Sequence, residues 1–333
     1  MRIILILLIT SVLFTRLNAQ RYVLTTSTST YTELTNATSL TQGSTWDDPA
    51  YSVPIGFEFT FYDTSYSSIY FDPQGLGCEL TFSETNTGIS GNIYSFGADL
   101  IDRAYNLDLD EPEAGGLSEI SYKTEGTTGF RILKIEWKNA GFYSDIDEDG
   151  VSTDYVNVQL WLYELTGAIE IHLGPSSISN FILSFDGAPG PFIGLLESYN
   201  YDTYELEAQV ELLSGPAANP SLVLSDDIYD TFITGIPTDG SVYVLNQIVI
   251  GSSYSLEKSK FETVLYPNPT LGNVKIQTSL QNYSATLINT QGEIVLTIPN
   301  SPKSLDLSPL ALGVYLIQLK SKSGTVTKRL VKS

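Results

Sequence analysis

Residues 145–150, Asp-Ile-Asp-Glu-Asp-Gly, carry the one local spacing in this 333-residue chain that suits a metal ion. Carboxylates at Asp145, Asp147 and Asp149 followed by Gly150 match the start of a calcium-binding loop, where hard oxygens converge and glycine permits the sharp turn. The rest departs from that pattern, because Val156 stands where a bidentate glutamate would close the shell. Two readings stand side by side: a hairpin-tip calcium site using Asp145, Asp147 and Asp149, helped by the Val151 carbonyl and Asp154, or a solvated acidic turn.

Nucleophilic chemistry has little to work with. His172 is the sole histidine, it falls inside an alternating strand pattern, and no Gly-x-Ser-x-Gly elbow occurs. A structural or surface role follows for His172, and a histidine or thiolate zinc site is excluded. Cys78 is alone, so no intramolecular disulfide forms, and it reads as a small buried apolar residue. Carboxylates are so numerous that no pair stands out for glycoside hydrolysis. Tyr199, Tyr201 and Tyr204, with Asn200 and Asp202 between them, could form a loop platform for stacking sugar rings. No Gly-rich phosphate loop precedes a helix. The chain is expected not to be an enzyme.

The elements that must position these residues read as strands. Hydrophobic residues make up 42% and charged residues 17%, without the 3.6-residue periodicity of helices. Ile55, Phe57, Phe59 and Phe61 fall on one face of a first strand, followed by strands at 68–71 and through Leu80 and Phe82. Residues 84–97 read as a polar loop and 108–116 as an acidic turn. Leu133, Ile135 and Trp137 face one way, as do Val156, Val158, Leu160 and Leu162. With 169–173 they predict the central hairpins of an antiparallel sheet. The opposite face, with Tyr155, Trp161 and Tyr163, reads as further core. Later strands are expected at 192–196, 204–212 and 241–245.

Charge divides the chain. Residues 20–260 hold 35 acidic and 8 basic side chains, a net of −27, whereas 261–333 hold 3 and 7, a net of +4. So acidic a body repels phosphate backbones, which excludes nucleic acid as a partner. Residues 1–19, with Arg2, an apolar run and Ala19, have the form of a secretory signal cleaved after Ala19. Its apolar run is shorter than the roughly 20 residues a membrane-spanning helix needs. No other stretch is apolar enough to span, so none is expected in the mature chain. Residues 250–262 read as a linker.

Two resemblances add to this. Residues 54–62, 68–71, 136–143 and 155–164 resemble nidogen-type extracellular β modules. Together with Ile169-Glu170-Ile171-His172 and later Leu213-Ser214-Gly215 and Gly235-Ile236-Pro237, they resemble more closely an uncharacterised module of type IX secreted proteins. That likeness implies a surface binding module with no family catalytic site. The C-terminal stretch has three ordered signatures: Tyr266-Pro267-Asn268-Pro269-Thr270, then Leu305-Asp306-Leu307-Ser308 with Gly313-Val314-Tyr315, then Lys328-Arg329-Leu330. It resembles the type A C-terminal sorting domain of type IX secretion. That resemblance implies an immunoglobulin-like sandwich, recognition by the secretion machinery, and display on or release from a Gram-negative cell surface. Pro267, Asn268, Pro269, Gly313, Val314, Tyr315, Lys328 and Arg329 would carry the signal.

The expected architecture is therefore all-β: a signal at 1–19, an antiparallel β-sandwich at 20–249, the linker, and a small immunoglobulin-like sandwich at 263–333. The expected function is non-enzymatic recognition or adhesion toward a glycan, matrix or envelope component, with calcium as a candidate cofactor. The alternative is a hydrolase of extracellular polymers whose carboxylate pair has no locatable position.

Overall fold

The structure, a computed structural model, describes residues 21–248 and 263–332 apart from positions 74, 110, 151, 229, 290–293 and 322–323. The expected signal at 1–19 and linker at 250–262 lie outside the described residues. The chain divides into two compact units, Met1–Ile248 and Val249–Ser333, and both are built almost wholly of strands. Among the described residues no helix is long and apolar enough to cross a membrane.

Strands are numbered along the chain. The first sheet of unit one has the order β1 (Tyr22–Thr28), β17 (Ser241–Gln247), β11 (Ile169–Leu173), β10 (Val156–Tyr163), β9 (Ile132–Phe142), β8 (Glu119–Glu125) and β2 (Thr38–Ser39). β7 (Leu100–Ile101) pairs with β9 off this path. The second sheet runs β15 (Ser221–Ser225), β14 (Val210–Pro216), β12 (Phe192–Asn200), β6 (Ile89–Gly97), β5 (Glu79–Thr81), β4 (Thr64–Phe71) and β3 (Ser52–Phe61). β13 (Glu205–Leu206) adds to β12, and β16 (Ile233–Thr234) adds to β14 as a parallel pair. All other pairings are antiparallel among the described residues, which leaves each sheet one face for the core and one for solvent.

The core lies between the two sheets. β3 alternates buried and exposed along its length and sends Val53, Ile55, Phe57, Phe59 and Phe61 inward. Leu133, Ile135 and Trp137 of β9 and Val158, Leu160 and Leu162 of β10 meet them from the facing sheet as the alternation predicts. Each such side chain contributes about 1.5–3 kcal/mol by leaving water. Trp137 is 0% exposed, and its indole N–H donates to the Gly77 carbonyl at 2.9 Å, so the ring is buried without an orphaned donor.

Three expectations about elements are corrected. Residues 89–97 of the supposed polar loop form β6, and all but Ile89 are buried. Its glycines are contact points: a Cβ on Gly91 would lie 2.5 Å from the Phe61 ring, and one on Gly97 would lie 2.3 Å from Phe192. The acidic segment is no hairpin tip but a helix, α1 (Tyr143–Asp149), with a second short helix at α2 (Phe181–Ser184). Gly150 stops α1 in the left-handed conformation, φ +73°, with its N–H on the Ile146 carbonyl, while Ile146 anchors the turn against Ile101 and Tyr105. Trp161 and Tyr163 are not core. They are half-buried on the outer face of the first sheet, the side opposite Leu160 and Leu162.

Unit two has two smaller sheets, β18 (Thr263–Tyr266), β19 (Asn273–Thr278), β22 (Ser304–Asp306), and β21 (Ile294–Ile298), β20 (Ser284–Ile288), β23 (Gly313–Ser321), β24 (Gly324–Lys332). They enclose their own core of Val274, Leu287, Leu305, Leu307, Ile317, Leu319 and Leu330.

Candidate functional site

A polar cleft of about 710 Å³ opens at one end of the first sheet, and its walls come from five places in the sequence. Thr28 ends β1 and Ser29, Thr30, Tyr31 and Glu33 follow it, Asn139 lies within β9, Tyr155 and Asn157 flank the start of β10, Pro175 follows β11, and Asp239 and Gly240 precede β17. Local geometry explains the shape. Asn139 takes φ +52°, and the β9–β10 register shifts between Val156 and Val158, so β9 bulges there. Asn157 bridges the gap by accepting from the Asn139 amide at 2.9 Å and donating to the Pro175 carbonyl at 2.7 Å. Gly240, at φ +83°, lets the turn before β17 lie against Ser29.

The outer wall is a strap, residues 29–36, laid over the outside of the first sheet. Glu136 fastens it. This β9 carboxylate is 2% exposed and accepts from the Tyr31 hydroxyl at 2.9 Å, the Leu34 amide at 3.0 Å and the Gln159 amide at 2.6 Å. Burial and the neighbouring Glu136 push the Tyr31 phenol far above its ordinary range, so it stays a donor. Lys138 pairs with Glu33 at 2.6 Å, and Gln159 donates to the Thr32 carbonyl at 2.9 Å.

Beside the strap, β10 and β11 carry an aromatic and charged cluster. The Trp161 indole lies between the His172 ring, stacked at 3.9 Å, and the Lys134 ammonium at 3.7 Å from its centroid. Glu170 accepts from Tyr163 at 2.8 Å and lies 2.8 Å from His172 Nε2. His172 is thus built into the sheet face rather than offered to a nucleophile.

Two of the calcium candidates point apart. Asp145 is buried and accepts from the Ser152 hydroxyl at 3.1 Å, whereas Asp147 is exposed, two positions on along the helix and so on its other side. The side chain of Asp149 is outside the described residues. A different carboxylate group forms where Asp47, Asp48 and Asp99 bring oxygens within 4.8 Å of one another. Burial, then Asp48, Asp47 and Asp186, pushes the Asp99 carboxyl up to about 7. Such oxygens could hold a hard cation. Asp47 and Asp48 adjoin in sequence, but only the fold brings Asp99 to them.

The tyrosine platform is likewise taken apart. Tyr201 is 5% exposed, donating to Asp72 at 2.9 Å and accepting from Asn92 at 2.7 Å. Tyr199 meets it edge-on at 5.0 Å, and Tyr204, 67% exposed, stands apart at φ +59°. Asn92 continues the network to Glu79 at 2.6 Å, whose carboxyl burial pushes up to about 7. Cys78 is fully buried, bonded to the Phe96 carbonyl, with its thiol pushed up to about 12 by burial.

A family model described as NIDO related matches residues 21–244, nearly all of the described two-sheet unit. The chain belongs to this NIDO-related family. A second model, described as secretion system C-terminal sorting domain, matches residues 264–333. The protein is thus a NIDO-related domain carried by a type IX sorting domain to the outside of a Gram-negative cell. Among solved structures, it is similar to PorZ, described as an essential bacterial surface component of the type-IX secretion system of Porphyromonas gingivalis. The identity is 13% and the TM-score 0.20, with 83% of this chain and 46% of that chain covered. The chain thus spans about half the length of that PorZ chain. Comparison with curated proteins found no match.

In the sorting domain of this NIDO-related chain, the three signatures meet in space. Asn268 accepts from the Val331 amide at 2.9 Å, and Thr270 donates to the Val331 carbonyl at 2.9 Å. The Lys332 ammonium donates to the Ser308 carbonyl at 3.1 Å and to that of Leu310. Pro267 and Pro269 are exposed and follow cis peptide bonds. Tyr315, Ile317 and Leu319 form the buried face of β23, and Val314 faces out, next to Gly313. Lys328 is half-buried, and the Arg329 side chain is outside the described residues.

Proposed function

We propose that residues 21–248 form a non-enzymatic recognition or adhesion module that meets a glycan of the matrix or envelope at the strap cleft. The observation that carries this reading is the lining. Three hydroxyls on Thr28, Ser29 and Thr30, the amide of Asn139, the rings of Tyr31 and Tyr155 and the carboxylates of Glu33 and Asp239 share one cleft. Sugar hydroxyls pair with such groups, and sugar C–H faces lie on such rings. No Lys or Arg lines the cleft. All six basic side chains between residues 21 and 248 are already engaged: Arg21, Lys123, Arg131, Lys134 and Lys138 with carboxylates, and Arg103 over the Tyr155 ring at 5.5 Å. A neutral or amino-bearing glycan fits that balance better than a sulfated or uronic one.

The test is a glycan array with the mature full-length protein, run with calcium and with chelator. Saturable binding of neutral or amino sugars is expected, weakened roughly tenfold, about 1.4 kcal/mol, by Tyr155→Ala or Asp239→Asn. Turnover of any bound polymer would instead support the hydrolase reading. Binding that both substitutions leave unchanged would remove the cleft from the account.

A further inference from the structure

The strand that ends the sorting domain is left open on one side. β24 is nine residues long and closes the order β21-β20-β23-β24, so β23 is its one sheet neighbour among the described residues. Its register with β23 runs unbroken from Gly313↔Lys332 to Ser321↔Gly324, without a bulge. The direction of its free backbone groups follows from one residue. Val331 turns both its amide and its carbonyl away from β23, toward Asn268 and Thr270. Antiparallel pairs alternate between bonded and non-bonded, so every second residue shares that direction. Thr325, Thr327 and Arg329 therefore also present their N–H and C=O groups outward.

The chain already pairs with part of this rim. Thr270 bridges Lys332 in parallel, which places the segment led by Asn268 and Pro269 on the C-terminal end of the edge. Elsewhere in the molecule a long edge is blocked: on β3, the carbonyls of Ile55 and Gly56 take the Thr124 hydroxyl and the Arg131 guanidinium. β24 carries no proline from Thr325 to Arg329 and its pairing with β23 has no bulge there, and among the described residues no side chain caps it; an edge in that condition accepts another strand.

We infer that this rim is a strand-addition site, where an extended segment of the export machinery pairs backbone to backbone with Thr325, Thr327 and Arg329. The three signature segments converge on the same strand, which places the rim beside the features that mark this domain for sorting. Charge selects the occupant. With a net of +4 over residues 261–333, two copies joined edge to edge would bring like charge together, whereas a strand bearing Asp or Glu is attracted. This inference rests on the sorting domain and is independent of the cleft reading.

The experiment replaces the backbone donor and leaves the fold alone. Thr327→Pro removes an outward N–H that makes no ladder bond, so the full-length protein is expected to melt within roughly 3 °C of wild type. Its surface-exported fraction in the producing bacterium should fall roughly tenfold or more, while Thr327→Val, which keeps the donor, exports normally. Wild-type export of a folded Thr327→Pro protein would overturn the inference, as would equal loss in Thr327→Val. Should the proline variant not fold, amide exchange at Thr327 in the wild-type protein decides. Adding outer-membrane vesicles from the producing bacterium should slow it roughly tenfold, and the site fails if exchange is unchanged or if the protein alone becomes protected as its concentration rises.

Discussion

At the scale of single residues, Glu136 and Asn157 do the most to shape the cleft. Truncating Glu136 strands the Leu34 amide and the Tyr31 hydroxyl together, since both depend on its two oxygens. Glu136→Ala is expected to cost about 1–3 kcal/mol in urea unfolding and to speed exchange of the Leu34 amide, because the strap loses its fastening. Two other carboxyls respond to pH. Glu79 and Asp99 titrate at about 7 when folded, above the 4.5 and 3.8 of the unfolded chain. Each therefore stabilises the fold while protonated, fully below its unfolded value, and that contribution is lost as pH rises through about 7. Melting temperature should fall between about pH 5 and about pH 8, and Glu79→Gln should flatten the decline.

At the scale of elements, the strands with strict alternation were legible and the ones built from small residues were not. β3, β9 and β10 announce their buried faces because one apolar side chain in two is large. β6 hides its nature because Gly91 and Gly97 are buried against aromatic rings and Asn92 against polar partners that lie elsewhere in the sequence. Gly91→Ala or Gly97→Ala should therefore destabilise the unit by about 1–3 kcal/mol in chemical unfolding, as overpacking does. The acidic run misled for a related reason. Its Gly150 has the left-handed conformation that a metal loop needs, and the fold spends that conformation on stopping α1. The cleft was hardest to read, since Tyr31, Asn139, Tyr155 and Asp239 have no common spacing and are gathered only by strand order. Tyr155 in particular reads as part of a second core face, whereas it is half-buried and lines the cleft beside the β9–β10 bulge.

At the scale of the whole molecule, the division by charge coincides with a division by core. Each unit has its own buried cluster, so calorimetry of the full chain should show two transitions, and a chain ending at Ile248 should keep the one belonging to the NIDO-related domain. That domain has every described cation committed and many acids left over. Its self-repulsion should be relieved by salt, raising its melting temperature between about 10 mM and about 200 mM sodium chloride. Export and the proposed recognition then place separate demands on the two units. Residues 264–333 present backbone and positive charge, whereas residues 21–244 present hydroxyls, rings and negative charge. Finally, Cys78 gives the protein an internal gauge. One thiol, sealed between the sheets and held far from its reactive form, meets a labelling reagent only when the sandwich opens. The rate at which it is modified thus counts openings of the first unit, molecule by molecule, with no probe needing to be introduced.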